Sequence, residues 1–342
     1  MARIGVVGAG SWGTTLANHL ALKGMEVDLW VWEKGVFQQI CDKRVNETFL
    51  PGIRLSDRIR PVQSFEEVAR GKEVIVLAVP SHVFGNTLTK LSPFLASSTS
   101  LVAGTKGIEA ETLMTMSQVV GSQLPGRELD RYACLSGPSF AREVCEKHPT
   151  AVTLASRSTE LARDLQAFFS TDYFRVYTTH DVLGVELAGA LKNVIAIAAG
   201  VSDGLRFGYN TRAALITRGS VEIARLGVAL GAEQLTFAGL AGIGDLILTC
   251  TGHLSRNRMV GLEIAKGIPV KKIVSGMKMV AEGVNTSVAA YRLAQRMGVE
   301  MPITTEVYRI IYERKDPLEA VRDLMTRELK VELETGGQGV GG

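Results

Sequence analysis

The chain of 342 residues is longer than one ordinary domain requires, and its length predicts two. Hydrophobic residues make up 46% of the chain and charged residues 21%, a globular balance that excludes disordered and fibrous proteins. The formal net charge is only +3, and basic residues are interspersed with acidic ones, so no nucleic-acid partner is indicated.

The cysteines and the N-terminus both favour a cytoplasmic protein. The N-terminus enters an apolar run that Gly8 and Gly10 interrupt, which is too short for the core of a signal peptide. No stretch of about 18 apolar residues is present, so no membrane span is expected. Four cysteines without paired spacing or nearby histidines predict reduced thiols and no bound metal: Cys41, Cys134, Cys145 and Cys250.

The first half of the chain alternates short apolar runs with helical patterns, which predicts parallel strands joined by crossover helices. The expected fold class is therefore α/β, with a doubly wound N-terminal domain. In such a sheet, ligands bind beyond the carboxyl ends of the strands, where turn-forming residues follow several of these runs. The predicted strands are Ile4–Val7, Val27–Val31, Val74–Val79, Leu101–Ala103, Ala133–Leu135 and Val152–Ala155.

From about Thr179 onward, long helical patterns predict a separate all-α domain. We expect a nucleotide-binding domain at 1–180, a helical substrate domain at 181–333 and a disordered glycine-rich tail at 334–342. The helix at 184–200 carries only Glu186 and Lys192 as charges, so most of its surface should be buried. The predicted helices are Gly184–Gly200, Thr211–Leu230, Ser287–Met297 and Pro317–Leu333.

A glycine-rich turn follows the first predicted strand and begins a helix. Its spacing, Gly8-Ala9-Gly10-Ser11-Trp12-Gly13, is the dinucleotide-binding fingerprint in the expected context. Gly8 permits the tight turn, Gly10 lets a pyrophosphate approach the backbone, and Gly13 lets helix and strand pack closely. The free N–H groups of the helix N-terminus attract the phosphates.

Cofactor choice depends on the end of the second strand, 20 residues after the last glycine of the turn. Glu33 could accept hydrogen bonds from ribose hydroxyls, which favours NAD. Lys34 could instead neutralise the 2′-phosphate of NADP, and an exposed turn would explain both residues nearly as well. The sequence leaves the choice between NAD and NADP open.

Two segments follow predicted strands and should lie at the carboxyl edge of the sheet. Lys106 stands between glycine-containing turns, where a ligand can approach closely, although a solvated loop lysine is the ordinary alternative. The segment Ser136–Ala141 offers backbone N–H groups and hydroxyls that could hold a phosphate or a cofactor ring.

Lys192 is the candidate for acid–base chemistry, because its helical neighbours are small or apolar and none is a carboxylate. Burial would lower its pKa towards the range useful for proton transfer, whereas a lysine reaching out from the helix edge is the alternative. Asp245 lies in an apolar, glycine-rich stretch and needs a partner if buried. It could orient Lys192 or cap the following helix.

A helix start at Ser255, as N-cap, places Arg256 and Arg258 in the first turn, against the helix dipole. A bound anion would resolve that conflict, with Arg256 donating paired hydrogen bonds to a phosphate. Arginines that reach distant carboxylates are the alternative.

These motifs together resemble the NAD(P)-dependent glycerol-3-phosphate dehydrogenases of the bacterial type, from about residue 3 to about residue 325. The matching segments are Gly8–Gly13, Leu50-Pro51-Gly52, Val79-Pro80-Ser81, Lys106-Gly107, Ser136–Ala141, Glu186–Asn193, Gly239–Asp245, Ser255-Arg256-Asn257 and Ala281-Glu282-Gly283. The resemblance implies hydride transfer between NAD or NADP and dihydroxyacetone phosphate, giving glycerol 3-phosphate for phospholipid synthesis. It also implies a Rossmann domain followed by an all-α domain like that of 6-phosphogluconate dehydrogenase.

The resemblance also assigns roles to individual residues. Lys192 would exchange the proton, with Lys106 and Asp245 completing the polar cluster at the reacting carbon. The substrate would be held by Lys106, Gly137, Ser139, Lys192, Asp245, Ser255, Arg256 and Asn257. The cofactor would contact Gly8, Gly10, Ser11, Trp12, Gly13, Glu33, Lys106, Ala141, Arg256, Val280 and Glu282.

Two other functions fit the same plan. One is a related dehydrogenase acting on a hydroxy acid or ketopantoate. The other is a protein that binds a dinucleotide without catalysis and reports redox state to a partner. Oligomeric state is not encoded in any motif, and a homodimer is expected on general grounds.

Overall fold

The computed structural model describes residues 3–125, 129–329 and 331–332, so the predicted tail at 334–342 lies outside the described residues. Within these ranges the chain forms ten strands. They are β1 (Arg3–Val7), β2 (Glu26–Trp30), β3 (Val45–Asn46), β4 (Leu50–Arg54), β5 (Ile59–Val62), β6 (Val74–Leu77), β7 (Ser100–Ala103), β8 (Tyr132–Ser136), β9 (Thr150–Ser156) and β10 (Phe174–Thr179).

The α-helices of the described residues divide between the two halves of the chain. Seven accompany the strands: α1 (Ser11–Leu22), α2 (Lys34–Lys43), α3 (Phe65–Ala69), α4 (Ser81–Leu91), α5 (Met116–Gln123), α6 (Ala141–Cys145) and α7 (Thr159–Phe169). Eight follow them: α8 (Val182–Gly204), α9 (Tyr209–Ala229), α10 (Asp245–Thr251), α11 (Arg256–Ala265), α12 (Val270–Gly276), α13 (Glu282–Met297), α14 (Pro302–Tyr308) and α15 (Pro317–Met325).

Eight strands form one sheet in the order β10-β9-β8-β7-β6-β1-β2-β5, while β3 and β4 form a separate hairpin. The order reverses at β1, because the chain adds β2 and β5 on one side and then β6 on the other. The crevice beyond the carboxyl ends of β1 and β6 is the topological switch point of the sheet, where ligands bind in this class of fold. The predicted doubly wound domain is thereby confirmed.

One pairing departs from the predicted parallel arrangement. β8 and β9 are antiparallel, with Ser136 opposite Thr153, whereas the other pairs of this sheet are parallel. The connection between them contains only α6, of five residues. A helix that short advances about 7 Å and does not carry the chain back along the sheet, so the next strand runs in reverse.

The helical domain is built around α8, which confirms the predicted burial of this segment. Most of its residues are buried, including Glu186 and Lys192. Gly200 and Gly261 let α8 and α11 approach closely: a Cβ on Gly200 would lie 2.0 Å from the carbonyl oxygen of Arg258. Among the described residues, α8 alone is long and apolar enough for a membrane span, yet its length is packed inside the core.

Two of the predicted helices match α8 and α9. The third, Ser287–Met297, matches the end of α13 but misses its start at Glu282. The last prediction is wrong at its end. α15 stops at Met325 and not at Leu333, and none of the described residues beyond it is helical. Met325 and Leu329 are largely exposed, so this stretch has no apolar surface to pack against. An amphipathic pattern without a partner does not sustain a helix.

Candidate active site

The glycine turn joins β1 to α1 at the switch point of the sheet. Gly8 has a φ of +110°, a conformation that favours glycine. A Cβ on Gly13 would lie 1.9 Å from the carbonyl oxygen of Gly8, so only glycine allows α1 to start this close to the strand. The space around Gly10 is open, with no atom within 4 Å of a Cβ built there. This cradle fits a pyrophosphate at the N-terminus of α1.

A cleft of about 550 Å³ extends from this turn to the helical domain, within the usual range for ligand sites. Glu33 lines it, whereas Lys34, its neighbour in sequence, does not. Trp30 and Phe65 stack at 4.6 Å between ring centroids. In the half of the cleft nearest the glycine turn, the walls come from the end of β2, α3 and one face of α4: Trp30, Trp32, Glu33, Phe65, His82, Asn86 and Lys90.

Three charged groups meet at the far end of the cleft. Asp245, at the start of α10, lies 2.5 Å from the Lys192 ammonium through Oδ1 and 2.7 Å from that of Lys106 through Oδ2. Lys106 also donates to the Gly137 carbonyl at 3.1 Å, and Lys192 donates to the Thr249 hydroxyl at 2.8 Å. Asp245 therefore serves as the partner of both lysines, and its side chain does not cap α10.

Burial sets the proton affinities in this cluster. Desolvation lowers the pKa of Lys192 from 10.5 to about 8, although the Asp245 carboxylate opposes the shift. Burial by itself would raise the pKa of Asp245, but Lys106 and Lys192 together hold that pKa below its usual value. With two ammonium groups and one carboxylate, the cluster is positively charged at neutral pH. A single proton can then move on and off Lys192 near pH 8.

The first turn of α11 separates the two arginines that the sequence grouped together. Ser255 is the N-cap, accepting from the Arg258 amide at 3.2 Å, as predicted. Arg258 forms an ion pair with Asp203 of α8 at 2.6 Å. For this residue the alternative is therefore correct: it reaches a distant carboxylate and is not left to bind an anion. Arg256 lines the cleft and donates to the Val280 carbonyl at 2.9 Å. Burial lowers the pKa of its guanidinium, and the nearby carboxylate of Glu282 opposes that shift.

The side-chain amide of Asn257, beside Arg256, makes hydrogen bonds within the protein. It donates to the Asn193 side-chain oxygen at 2.8 Å and accepts from the Gly283 amide at 2.9 Å, which ties α11 to α8 and α13. It still lines the cleft together with Asn193.

The segment after β8 is only partly in the cleft. Ser139 and Ala141 line it, whereas Gly137, with a φ of +143°, does not and contributes its carbonyl to Lys106. A Cβ on Gly137 would lie 2.9 Å from the Cα of Val152, so the position requires glycine for packing as well.

Ser11 and Trp12 begin α1 and line the cleft, as do Val280 and Glu282 from the helical domain. Ser11 donates to the Phe49 carbonyl at 2.6 Å and lies 2.9 Å from the sulfur of Met279. The loop before α13 thus reaches across to the glycine turn.

Of the predicted site residues, the structure brings all but Gly13 and Gly137 to the wall of one cleft. Sequence reasoning missed Thr249 and Lys278, which also line it. Thr249 follows Asp245 by one helical turn, a spacing that places both on one face and could have revealed it. Lys278 lies in an irregular loop, where periodicity gives no signal.

Two family models match the chain and together cover most of it. Residues 3–162 match the NAD-dependent glycerol-3-phosphate dehydrogenase N-terminus, and residues 181–322 match the C-terminus of the same family.

Full-length relatives are similar over nearly the whole chain. The glycerol-3-phosphate dehydrogenase (NAD(P)+) of Syntrophobacter fumaroxidans is 56% identical over 97% of this chain and 98% of its own length. That of Geobacter metallireducens is 56% identical over 96% of this chain and 98% of its own. The crystal structure of glycerol-3-phosphate dehydrogenase from Coxiella burnetii superposes with a TM-score of 0.91 and 40% identity, covering 95% of this chain and 99% of that one.

Proposed function

Because the chain belongs to the NAD-dependent glycerol-3-phosphate dehydrogenase family, we propose that it interconverts dihydroxyacetone phosphate and glycerol 3-phosphate with NAD or NADP. The observation that carries this proposal is the buried cluster of Lys192, Asp245 and Lys106 at the end of the same cleft that begins with the glycine turn. Such an arrangement combines a dinucleotide site with a proton donor of suitable pKa.

Each part of the cleft has a task in this reaction. The glycine turn and Glu33 would hold the cofactor, which supplies or receives the hydride when bound. Arg256, with Lys106, would hold the phosphorylated substrate by charge-assisted hydrogen bonds. In the direction of reduction, the Lys192 ammonium gives its proton to the oxygen of the ketone carbon as that carbon gains hydride. The positive charge of the cluster stabilises the alkoxide character that develops there.

In the direction of oxidation, neutral Lys192 takes the hydroxyl proton as the carbon loses hydride. Asp245 keeps Lys192 in place between Thr249 and the cleft, and stabilises the ammonium form of Lys192. The two directions therefore need opposite protonation states of one amine. This requirement makes the proposal testable by pH as well as by substitution.

The deciding experiment follows the absorbance of NADH and, separately, of NADPH with dihydroxyacetone phosphate. We expect turnover with at least one of the two cofactors, and we expect Lys192→Ala to abolish kcat while cofactor affinity is retained. Turnover of a hydroxy or keto acid, with none of dihydroxyacetone phosphate, would favour a related dehydrogenase. Cofactor binding without any turnover would favour the non-catalytic redox reporter.

We propose three further properties that rest on the family and on general grounds: a cytoplasmic location, a homodimer, and supply of glycerol 3-phosphate to phospholipid synthesis. In this proposal the predicted domain at 1–180 binds the nucleotide, and the predicted domain at 181–333 binds the substrate. Light scattering on the eluting protein tests the dimer, since a mass near 36.8 kDa would identify a monomer.

A further inference from the structure

A serine and a glutamate from the two domains form hydrogen bonds beside the loop that carries Lys106. Ser81, from the Rossmann domain, donates its backbone N–H to Oε1 of Glu282 at 3.0 Å and its hydroxyl to Oε2 at 2.6 Å. Glu282 belongs to the helical domain, 201 residues later in the chain. Ser81 is only 1% exposed, so its hydroxyl has little access to water as an alternative partner.

Both residues occupy the first position of a helix that has no side-chain cap of its own. Pro80 precedes α4 and Ala281 precedes α13, and neither side chain accepts a hydrogen bond. The carboxylate of Glu282 therefore supplies α4 with the acceptor that an N-cap residue normally provides. It also lies near the positive ends of both helix dipoles, where an acidic side chain stabilises the helix start.

This pair lies next to the two segments that carry cationic groups of the cleft, the loop of Lys106 and the first turn of α11 with Arg256. A Cβ on Gly107 would lie 2.4 Å from the Cβ of Ser81 and 3.1 Å from Oε2 of Glu282, so the backbone next to Lys106 packs directly against the pair. On the other side, Arg256 donates to the carbonyl of Val280, two residues before Glu282, at 2.9 Å. The amide of Gly283, next to Glu282, donates to Asn257, next to Arg256, at 2.9 Å. A shift of either partner would displace the segments that hold these two cations.

We infer that Ser81 and Glu282 form an interdomain latch that fixes the relative position of Lys106 and Arg256 for hydride transfer. Both are positioning residues: they act on the reacting centre through the Lys106 loop and the first turn of α11, which they hold together. The inference rests on the proposed function, and it assigns Ser81 a role that the cofactor contact expected of Glu282 would not require.

The test compares Ser81→Ala, Glu282→Gln and the double variant in steady-state kinetics and NADH binding. Ser92→Ala, at the other end of α4, and Glu263→Gln, on the surface of α11, are matched controls. We expect kcat/KM for dihydroxyacetone phosphate to fall about 10- to 100-fold in each single variant, because small misplacements of catalytic groups have effects of this size. The double variant should lose no more than the worse single variant, since both changes open the same latch.

Two readouts separate positioning from a loss of folding or of cofactor contact. The deuterium isotope effect with 4-deuterated NADH should rise in both single variants, because a misaligned hydride transfer becomes slower than the other steps. The dissociation constant of NADH should change by less than about threefold in Ser81→Ala, since Ser81 does not line the cleft and acts only through the segments that it holds. The controls should match the wild type, and thermal melts establish that each variant is folded.

Losses that multiply in the double variant would overturn the latch, as would a wild-type rate in Ser81→Ala. If Glu282→Gln alone weakened NADH binding in proportion to its loss of kcat/KM, Glu282 would act as a cofactor ligand and the inference would fail. A wild-type enzyme without glycerol-3-phosphate dehydrogenase activity would refute the proposed function instead, and this outcome is seen before any variant is made.

Discussion

Replacing Asp245 by Asn should move the pH dependence of the reaction to lower pH. The Asp245 carboxylate lies 2.5 Å from the Lys192 ammonium and favours its charged form, against the desolvation that lowers the pKa of Lys192 to about 8. Asparagine has nearly the same shape and no charge. Without the carboxylate, desolvation and the neighbouring Lys106 ammonium both act to lower the pKa of Lys192 further.

The size of the shift follows from the proximity of the two groups. An opposite charge at this range changes a pKa by about 1–3 units, so the pKa of Lys192 in the variant should fall to about 5–7. Reduction requires the ammonium form. At pH 8 about half of Lys192 is charged in the wild type, and about one part in 10 to one part in 1000 in the variant. Protonation alone then lowers kcat/KM for reduction about 5- to 500-fold at that pH.

The measurement is kcat/KM in both directions from about pH 6 to about pH 10, because this ratio reports the pKa of groups on the free enzyme. Reduction should decline above pH 8 in the wild type, and oxidation should rise towards it. In Asp245→Asn both limbs should move to lower pH together. Asp42→Asn, on the surface of α2, controls for the loss of a carboxylate elsewhere, and substrate ionisation affects all variants equally.

The direction of movement decides between two roles for Asp245. A group that only orients Lys192 would lower both rates and leave the limbs near pH 8. A limb that stayed in place, or moved to higher pH, would refute the claim that Asp245 sets the proton affinity of Lys192. In Lys192→Met, any residual activity should show no limb near pH 8, because the titrating amine is gone.

Three further outcomes follow from other parts of the chain. Glu33→Lys should raise the ratio of kcat/KM for NADPH over NADH at least about tenfold, because Glu33 lines the cleft, while Lys34→Gln should leave that ratio unchanged. Gly10→Ala should have the melting temperature of the wild type and bind NADH at least about tenfold more weakly. In Gly13→Ala the new Cβ would meet the Gly8 carbonyl, so the free energy of unfolding in denaturant should fall by about 1–3 kcal/mol. Burial raises the pKa of Glu222 from 4.5 to about 7. The contribution of Glu222 to the free energy of unfolding is therefore fully present below pH 4.5 and declines by about 3 kcal/mol as the pH rises to 7. Glu222→Gln should remove this part of the pH dependence of stability.

The sequence predicted those strands that are buried on both faces and missed those at the sheet edges. β1, β6 and β7 are continuous apolar runs with a clear signal. β5 contains Arg60 and Pro61, and β10 alternates buried and exposed residues. Such composition suits an edge strand, and it resembles loop sequence when no partner is known.

At the site, local rules identified the residues, while their pairing required the tertiary structure. The glycine turn is a local motif and could be read directly. Lys192 could be singled out because no carboxylate lies three or four residues from it on its helix. Asp245 is 53 positions away and reaches it only because α10 packs on α8. The opposite fates of Arg256 and Arg258 depend on Asp203, which the sequence around them does not reveal.

Catalysis and stability oppose each other at Lys192. A lowered pKa means that the unfolded chain binds the proton more tightly than the folded one, so this ammonium costs about 3 kcal/mol of stability below pH 8. The cost is relieved as pH rises from about 8 to 10.5. A solvated lysine would avoid it, but with a pKa near 10.5 only about one amine in 3000 would be neutral at pH 7 to accept the hydroxyl proton. Burial of Lys192 on α8 therefore lowers the stability of the fold and, in return, provides an amine that can act in both directions of the reaction.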